Sequence, residues 1–303
     1  MSAGSMTGPI LVLGRNGQVG WELQRALGVL APLVAVARAE CDLADTEAVR
    51  RLVRQTAPRA IVNAAAYTAV DKAEAEPAAA HAINAGLPAV LAEEARALDA
   101  WLVHYSTDYV FKGDKPGAYA EDDPTDPQSV YGRSKLAGEQ AARAWSRHLV
   151  LRTSWVFGAH GGNFLKTMLR LGRERSELKV VDDQHGAPTS AALIADVTAH
   201  ALAAVLRGQG AAGVYHLASA GDTTWCGYAR YVMEQALALG VPLACRPQAV
   251  HPIATSDYPL PAARPANSRL NTARLRATFG LHLPPWQEQV TRVLQTILKE
   301  NHA

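Results

Sequence analysis

A tyrosine and a lysine four residues apart form the pair in this sequence best suited to moving a proton. They are Tyr131 and Lys135, the two ends of the segment YGRSK. On a helix this spacing brings both side chains to one face, one turn apart. A fixed ammonium beside a phenol favours the phenolate and lowers the phenol pKa from about 10 toward neutral pH. The pair could donate a proton during carbonyl reduction, although the same spacing also occurs on ordinary solvated helix faces.

A glycine-rich turn near the start of the chain could hold the cofactor for such a reduction. Gly14, Gly17 and Gly20 follow the apolar run 10–13 directly and precede an amphipathic stretch at 21–27. Small residues let the backbone approach a pyrophosphate, which then lies on the amides at a helix N-terminus. The spacing Gly-x-x-Gly-x-x-Gly is a variant of the dinucleotide fingerprint. A glycine turn in some other α/β protein is the alternative interpretation.

The elements that must position these groups alternate along the chain. Further apolar runs predict strands over 33–37, 60–63, 101–105 and 149–152, with helical stretches such as 46–55 and 86–98 between them. No hairpin signal interrupts the alternation, which predicts an α/β fold with a doubly wound parallel Rossmann sheet and right-handed crossovers. Ligands of such sheets lie at the carboxyl ends of the strands, where the polar segments 63–68, 106–108 and 153–155 fall.

We expect two structural units. Residues 8–155 form the dinucleotide-binding Rossmann core. Residues 156–303 contain the remaining core strands, interleaved with a smaller C-terminal lobe that binds the substrate. At 303 residues and 49% hydrophobic content, the chain can bury a core of this size.

Net charge and cysteine content limit the binding partners and the cellular compartment that we expect. A formal net charge of +2 produces no long-range field for nucleic acid or an anionic membrane, so neither is an expected partner. Cys41, Cys226 and Cys245 lack metal-ligand spacing and favour reduced thiols in the cytoplasm. Residues 1–8 lack the apolar core of a signal peptide. The apolar stretch 191–206 is interrupted by Asp196 and His200, so we predict no membrane span.

The motifs together resemble a known family. The chain is similar to the extended short-chain dehydrogenase/reductases and, within them, to the dTDP-4-dehydrorhamnose reductases, from about residue 10 to near its C-terminus. The matching blocks are 14–22, NAAAYTAVDK at 63–72, HYSTDYVF at 104–111, VYGRSKLAGE at 130–139, LRTSWV at 151–156, DQHGAPT at 183–189 and RPANSRLN at 264–271. STDYVF discriminates best, because it separates these reductases from the epimerases and dehydratases of the superfamily.

The resemblance implies a role for each matching position. Tyr131 would be the proton donor, Lys135 its pKa-lowering and ribose-holding partner, and Thr107 a hydroxyl near the reacting carbonyl. The implied cofactor positions are Gly14, Gly17, Gln18, Val19 and Gly20 at the pyrophosphate, Asp42 and Leu43 at the adenine, and Ala66, Tyr67, Thr68 and Tyr105 along the nicotinamide-ribose channel. The implied substrate positions are Thr107, Asp108, Trp155 and Arg264.

Three of these substrate positions have other interpretations. Asp108 also suits an Asx cap after a strand, Trp155 suits core packing, and Arg264 suits either the substrate diphosphate or a structural salt bridge.

Two departures from the family pattern bear on cofactor and metal. The acidic residue that usually follows the second strand is absent, and Arg38 stands there; an arginine accepts a ribose 2′-phosphate where a carboxylate would repel it. We therefore predict NADPH as the favoured cofactor, with NADH also accepted. Some family members are associated with a magnesium-linked dimer, but residues 189–194 offer no carboxylate to join Glu22. We predict no metal site and leave a homodimer as an expectation.

The implied activity is NADPH-dependent reduction of the C4 keto group of dTDP-4-dehydro-L-rhamnose to dTDP-L-rhamnose, with a dTDP-sugar as the small-molecule substrate. Two alternatives remain open at the level of sequence. A nucleotide-sugar epimerase or dehydratase shares the fold and the Tyr/Lys pair. A non-catalytic nucleotide-binding regulatory subunit is the second, and intact Thr107, Tyr131 and Lys135 argue against it.

Overall fold

The computed structural model describes residues 8–300, and the sequence expectation for residues 1–7 lies outside this range. The strands are β1 Ile10–Leu13, β2 Leu33–Val36, β3 Ala60–Asn63, β4 Trp101–Thr107, β5 His148–Thr153, β6 Val156–Phe157, β7 Leu178–Val181, β8 His185–Gly186, β9 Thr189–Ser190, β10 Gly213–His216, β11 Thr223–Thr224 and β12 Val250–Ile253. The helices are α1 Gln18–Leu27, α2 Thr46–Thr56, α3 Val70–Ala75, α4 Pro77–His81, α5 Leu87–Ala97, α6 Val130–Arg143, α7 Phe164–Glu174, α8 Ala191–Leu206, α9 Trp225–Ala238, α10 Ala273–Phe279 and α11 Trp286–Glu300. A π-helical turn, Ala82–Gly86, separates α4 from α5.

A six-stranded parallel sheet forms the centre of the molecule, in the order β2-β1-β3-β4-β5-β10. The chain order reverses between β1 and β3, which is the position where open α/β sheets bind ligands. β1 and β3 are buried along their whole length, as expected for strands covered on both faces. The predicted doubly wound sheet is confirmed.

Helices cover both faces of this sheet. On one face, α1, α8 and α10 enclose a core that contains Leu23, Ile194 and Leu275. On the other, α2 and α5 enclose a core with Val49 and Leu91, beside α6. The sixth strand, β10, comes from the second half of the chain, after the excursion from β6 to α8. The chain therefore leaves the sheet after β5 and returns to it.

The excursion and the C-terminal residues build a second hydrophobic core. α7, α9 and α11 pack around residues such as Leu165, Val232 and Val290, and the parallel pair β7 and β12 adds Leu178 and Val250. The division of the chain at residue 155 stays a prediction. Within residues 8–300, no helix has both the length and the apolar character needed to cross a bilayer.

Candidate active site

The glycine turn lies between β1 and α1 and is shaped to receive an anion. Gly14 adopts a φ of +83°, and a Cβ there would lie 2.8 Å from the backbone nitrogen of Ala65. A Cβ on Gly20 would lie 2.0 Å from the carbonyl oxygen of Gly14. α1 begins at Gln18, and no side chain caps its first turn. The backbone N–H groups of this first turn therefore lack a side-chain acceptor. They are the donors that a pyrophosphate requires, so the turn fits a dinucleotide.

The second lobe contacts this turn directly. The Nδ2 of Asn163 donates to the side-chain oxygen of Gln18 at 2.9 Å, while Oδ1 of Asn163 caps α7. His160 shares a hydrogen bond of 3.0 Å with the carbonyl oxygen of Asn16 and stacks on Trp21. The loop before α7 thus ties the lobe to the cofactor turn.

Tyr131 and Lys135 lie on α6, which begins where Ser129 caps it through the amide of Gly132. Burial raises the pKa of the Tyr131 phenol to about 12, the charge of Asp108 adds to the rise, and the nearby Thr107 hydroxyl opposes it. The sequence-based expectation that Lys135 lowers this pKa is wrong for this arrangement. The phenol stays protonated at neutral pH, which is the form that can donate a proton.

Lys135 is buried and uses its ammonium for a backbone contact. Its Nζ donates to the carbonyl oxygen of Tyr105 at 2.6 Å. Burial lowers the Lys135 pKa to about 8, and the negative charge of Glu139 opposes that change. Glu139 in turn forms a fully buried ion pair with Arg152 of β5, at 2.6 Å. Glu139 therefore keeps the Lys135 pKa higher than burial alone would make it.

Thr107 and Asp108 stand at the carboxyl end of β4, as the sequence predicts, and form one buried network. The hydroxyl of Thr107 donates to Oδ1 of Asp108 at 3.0 Å and accepts the amide of Tyr109. Oδ2 of Asp108 accepts from the hydroxyl of Ser268 at 2.5 Å, and burial raises the Asp108 pKa to about 6. Ser268 lies far along the chain, in the RPANSRLN block, and sequence reasoning gave it no role.

Asn84 is a second residue that sequence reasoning missed. It is 1% exposed, in the π-helical turn before α5. Its side chain accepts the amide of Tyr67 at 2.9 Å and donates to the carbonyl oxygen of Tyr67 and to Ser134 Oγ, each at 3.0 Å. Ser134 in turn donates to the carbonyl of Tyr131. The side-chain amide of Asn84 thus joins the segment after β3 to α6. An asparagine inside an alanine-rich helical stretch was the available signal, because asparagine is a poor helix former.

We expect Asn84→Ala to destabilise the protein and to weaken cofactor binding. The substitution leaves the part-buried backbone N–H and C=O of Tyr67 without these partners, which costs roughly 1–3 kcal/mol in free energy of unfolding. Denaturant unfolding and the KM for NADPH measure the two effects. Asn271→Ala is the matched control, since the exposed Asn271 side chain accepts only the amide of Ala273. Equal losses in the two variants would contradict the role of Asn84.

The remaining cofactor positions occupy two regions. Ala66, Tyr67 and Thr68 follow β3, and the hydroxyl of Tyr67 donates to Glu76 at 2.7 Å. Tyr105 differs from expectation: its phenol bonds Thr198 of α8 at 2.7 Å within the core, so only its backbone reaches Lys135.

At the two positions predicted to contact the adenine, Asp42 accepts the amide of Ala44 and Leu43 packs on the core. Arg38 is exposed and makes no hydrogen bond or ion pair with the described residues.

Trp155 and Arg264 both make contacts within the protein. Trp155 has a φ of +49° and stacks on Trp225 at 3.7 Å, with Gly186 against its ring. A left-handed conformation at a bulky residue is strained and is typical of functional sites. Arg264 forms an ion pair with Asp71 of α3 at 2.7 Å, which is the structural salt bridge that the sequence left open. A contact with the substrate diphosphate stays a prediction.

Glu22 has a carboxylate neighbour outside residues 189–194, namely Asp196 on α8. Arg25 binds Asp196 at 2.8 Å and Glu22 at 3.3 Å, so the cation lies between the two carboxylates. Residues 8–300 contain no group of three or more His, Cys, Asp or Glu side chains placed to hold a metal ion.

The glycine turn, which can hold an anion, and Tyr131, which can donate a proton, therefore lie at the same edge of the parallel sheet. This combination defines the class as nicotinamide-dependent oxidoreductases of the short-chain dehydrogenase/reductase type.

Comparison with known proteins narrows the class. Residues 6–299 match the family model described as RmlD substrate binding domain. The dTDP-4-dehydrorhamnose reductase of Escherichia coli K12 is 50% identical over 293 residues, which cover 95% of this chain and 97% of that protein. The reductase structure from Clostridium acetobutylicum has a TM-score of 0.88 and 34% identity, with 96% and 99% of the two chains covered. That of Bacillus anthracis, in complex with NADP, has a TM-score of 0.87 and 34% identity, again with 96% and 99% covered.

The chain belongs to the dTDP-4-dehydrorhamnose reductase family. The resemblance drawn from its sequence motifs is confirmed.

Proposed function

We propose that this chain catalyses the NADPH-dependent reduction of the C4 keto group of dTDP-4-dehydro-L-rhamnose to dTDP-L-rhamnose. The observation that carries the proposal is the clustering of Thr107, Tyr131 and Lys135 at the carboxyl edge of the sheet, where Thr107 and Lys135 are buried and Tyr131 is half-buried, beside an uncapped helix N-terminus. The family relatives are dTDP-4-dehydrorhamnose reductases, and one of them has been seen with NADP.

The chain's own residues divide the work of binding. The amides that follow Gly17 would hold the pyrophosphate, and Lys135 would hold the nicotinamide ribose. Arg38, exposed and without a partner among the described residues, would receive the 2′-phosphate. NADPH, when bound, supplies the hydride for C4.

Tyr131 supplies the proton. With a pKa raised to about 12, the phenol keeps its proton until negative charge develops on the carbonyl oxygen. Thr107 and Ser268 both donate to Asp108, whose charge acts on the nearby phenol. General acid catalysis of this kind typically contributes about 10²–10⁴-fold in rate.

One incubation tests the function. The protein is mixed with dTDP-4-dehydro-L-rhamnose and NADPH, the loss of reduced-nicotinamide absorbance is followed, and the product is identified. Stoichiometric NADPH consumption with formation of dTDP-L-rhamnose is expected. An epimerase would recycle its hydride without net consumption, and a regulatory subunit would leave the sugar unchanged.

NADPH should outcompete NADH in kcat/KM, and Arg38→Asp should erase or reverse that preference. A charge-assisted contact of ~1.5–3 kcal/mol corresponds to a selectivity of roughly ten- to hundred-fold. Arg292→Asp, at an exposed position on α11, is the control for a change of net charge alone. Equal use of both cofactors by the unmodified protein would refute the role of Arg38 and leave the reductase function untouched.

A homodimer and a cytoplasmic location are part of the same proposal. Trp21 on α1 exposes 52% of its surface and stacks on His160, so it is available to a second copy of the chain. All three cysteines are buried and free, as a reducing compartment would leave them. Light scattering of the purified protein should give twice the 32.3 kDa mass of one chain. A single-chain mass would exclude the dimer.

A further inference from the structure

A carboxylate stands at the end of β2 although the strand itself carries none. The sequence places Val36, Ala37 and Arg38 where dinucleotide-binding proteins usually have an acidic residue. In the structure, Glu40 folds back toward this point from the following turn. Its Oε2 accepts the amide of Ala37 at 2.8 Å. The acidic group is therefore present in space, although Glu40 lies two residues after Arg38 in the sequence.

The same carboxylate holds an arginine from the glycine turn. Nη2 of Arg15 donates to Oε1 of Glu40 at 2.5 Å, and Nη1 of Arg15 donates to the carbonyl of Ala35 at 3.1 Å. The backbone amide of Arg15 also binds the carbonyl of Val36. The guanidinium and the carboxylate thus lie side by side across the end of β2. The carbonyl of Ala35 holds the guanidinium there, and the amide of Ala37 holds the carboxylate.

This pair remains accessible to a ligand. The side chains of Arg15 and Glu40 are 38% and 41% exposed, so neither is sealed into the core. A dinucleotide whose pyrophosphate lies on α1 places its adenosine ribose at the end of β2. A carboxylate there accepts the ribose hydroxyls, whereas a cation there binds a 2′-phosphate and a carboxylate repels it.

We propose that the Arg15–Glu40 pair sets the balance between the two nicotinamide cofactors. Glu40 accepts the ribose hydroxyls of NADH, and the 2′-phosphate of NADPH replaces Glu40 as the partner of Arg15. Arg38 adds a second cation, while Glu40 is the group that makes NADH acceptable. The inference rests on the cofactor site of the proposed function and assigns the selectivity of that site to Arg15 and Glu40, to which the family resemblance gave no role.

Binding of two adenosine fragments tests the pair without any turnover. Adenosine 2′,5′-bisphosphate and 5′-AMP differ only in the 2′-phosphate, and calorimetric titration of the cofactor-free protein gives the ratio of their affinities. Glu40→Gln keeps an acceptor for the Ala37 amide and removes the charge, so the ratio should shift toward the bisphosphate by about tenfold or more. Arg15→Gln should shift it the opposite way, by about ten- to hundred-fold.

The ratio is read within each variant, so a general loss of binding cancels. Glu174→Gln, which breaks an exposed ion pair with Arg170 on α7, is the matched control and should leave the ratio unchanged. An unchanged ratio in either Glu40→Gln or Arg15→Gln, or two shifts of the same sign, would overturn the proposal. Failure of the proposed reductase function would look different: the fragment ratios would shift as expected while NADPH and the dTDP-sugar gave no product.

Discussion

Replacing Tyr131 with Phe is expected to reduce turnover by about 10²–10⁴-fold while the protein still binds cofactor. The variant keeps the aromatic ring, and therefore the edge-to-face contact with Tyr109 at 5.4 Å, and loses only the hydroxyl. The measurement is kcat with the dTDP-sugar, beside NADPH affinity from direct titration.

Tyr231→Phe is the matched control for loss of a phenol hydroxyl. Tyr231 lies on α9 in the second core, where its hydroxyl contacts Thr291. The control should retain full turnover. Activity of Tyr131→Phe within a few-fold of the parent protein would remove Tyr131 from the mechanism.

Lys135→Met should lower both cofactor affinity and rate. The ammonium is buried, and its loss removes a charged group that the proposal places on the nicotinamide ribose; a charge-assisted contact of ~1.5–3 kcal/mol corresponds to about a ten- to hundred-fold loss of affinity. Calorimetric titration with NADPH and steady-state kinetics measure the two losses. Lys179→Met, at an exposed position on β7, is the control.

Lys135→Met should also change how the free energy of unfolding depends on pH. The Lys135 pKa is about 8 in the folded protein against 10.5 for an ordinary lysine. Between these two values the unfolded chain holds a proton that the folded protein has released, so the free energy of unfolding rises with pH. This contribution is complete above 10.5 and is lost as the pH falls through about 8. Lys135→Met should remove the rise. Unchanged cofactor affinity together with an unchanged pH profile would reduce Lys135 to a structural residue of α6.

The sequence predicted most of the sheet because its signals are local. β1 to β5 are short apolar runs bounded by polar or glycine residues, and the alternation with helices excludes most other topologies. The glycine turn could also be assigned from neighbours alone, since Gly14 and Gly20 are required by contacts within the turn and the adjacent loop. The sixth strand, β10, was not located, because a long excursion separates it from β5.

The electrostatics of the site could not be predicted in the same way. The Tyr/Lys spacing indicates a lowered phenol pKa, yet burial of Tyr131 beside Asp108 raises it to about 12. Desolvation depends on everything packed around a group, and spacing along one helix contains none of that information.

Sequence alone therefore determined the fold class and predicted the glycine turn and the Tyr131/Lys135 pair, because each follows from residues a few positions apart. Only the tertiary structure decided which side chains hold the turn and the helix of the pair in place. Asn84 meets Ser134 across 50 residues, and Asp108 meets Ser268 across 160. Glu40 reaches the end of β2 and Arg15 only after the turn has folded back. Such contacts arise from the packing of distant segments, so no periodicity or motif spacing marks them in the chain.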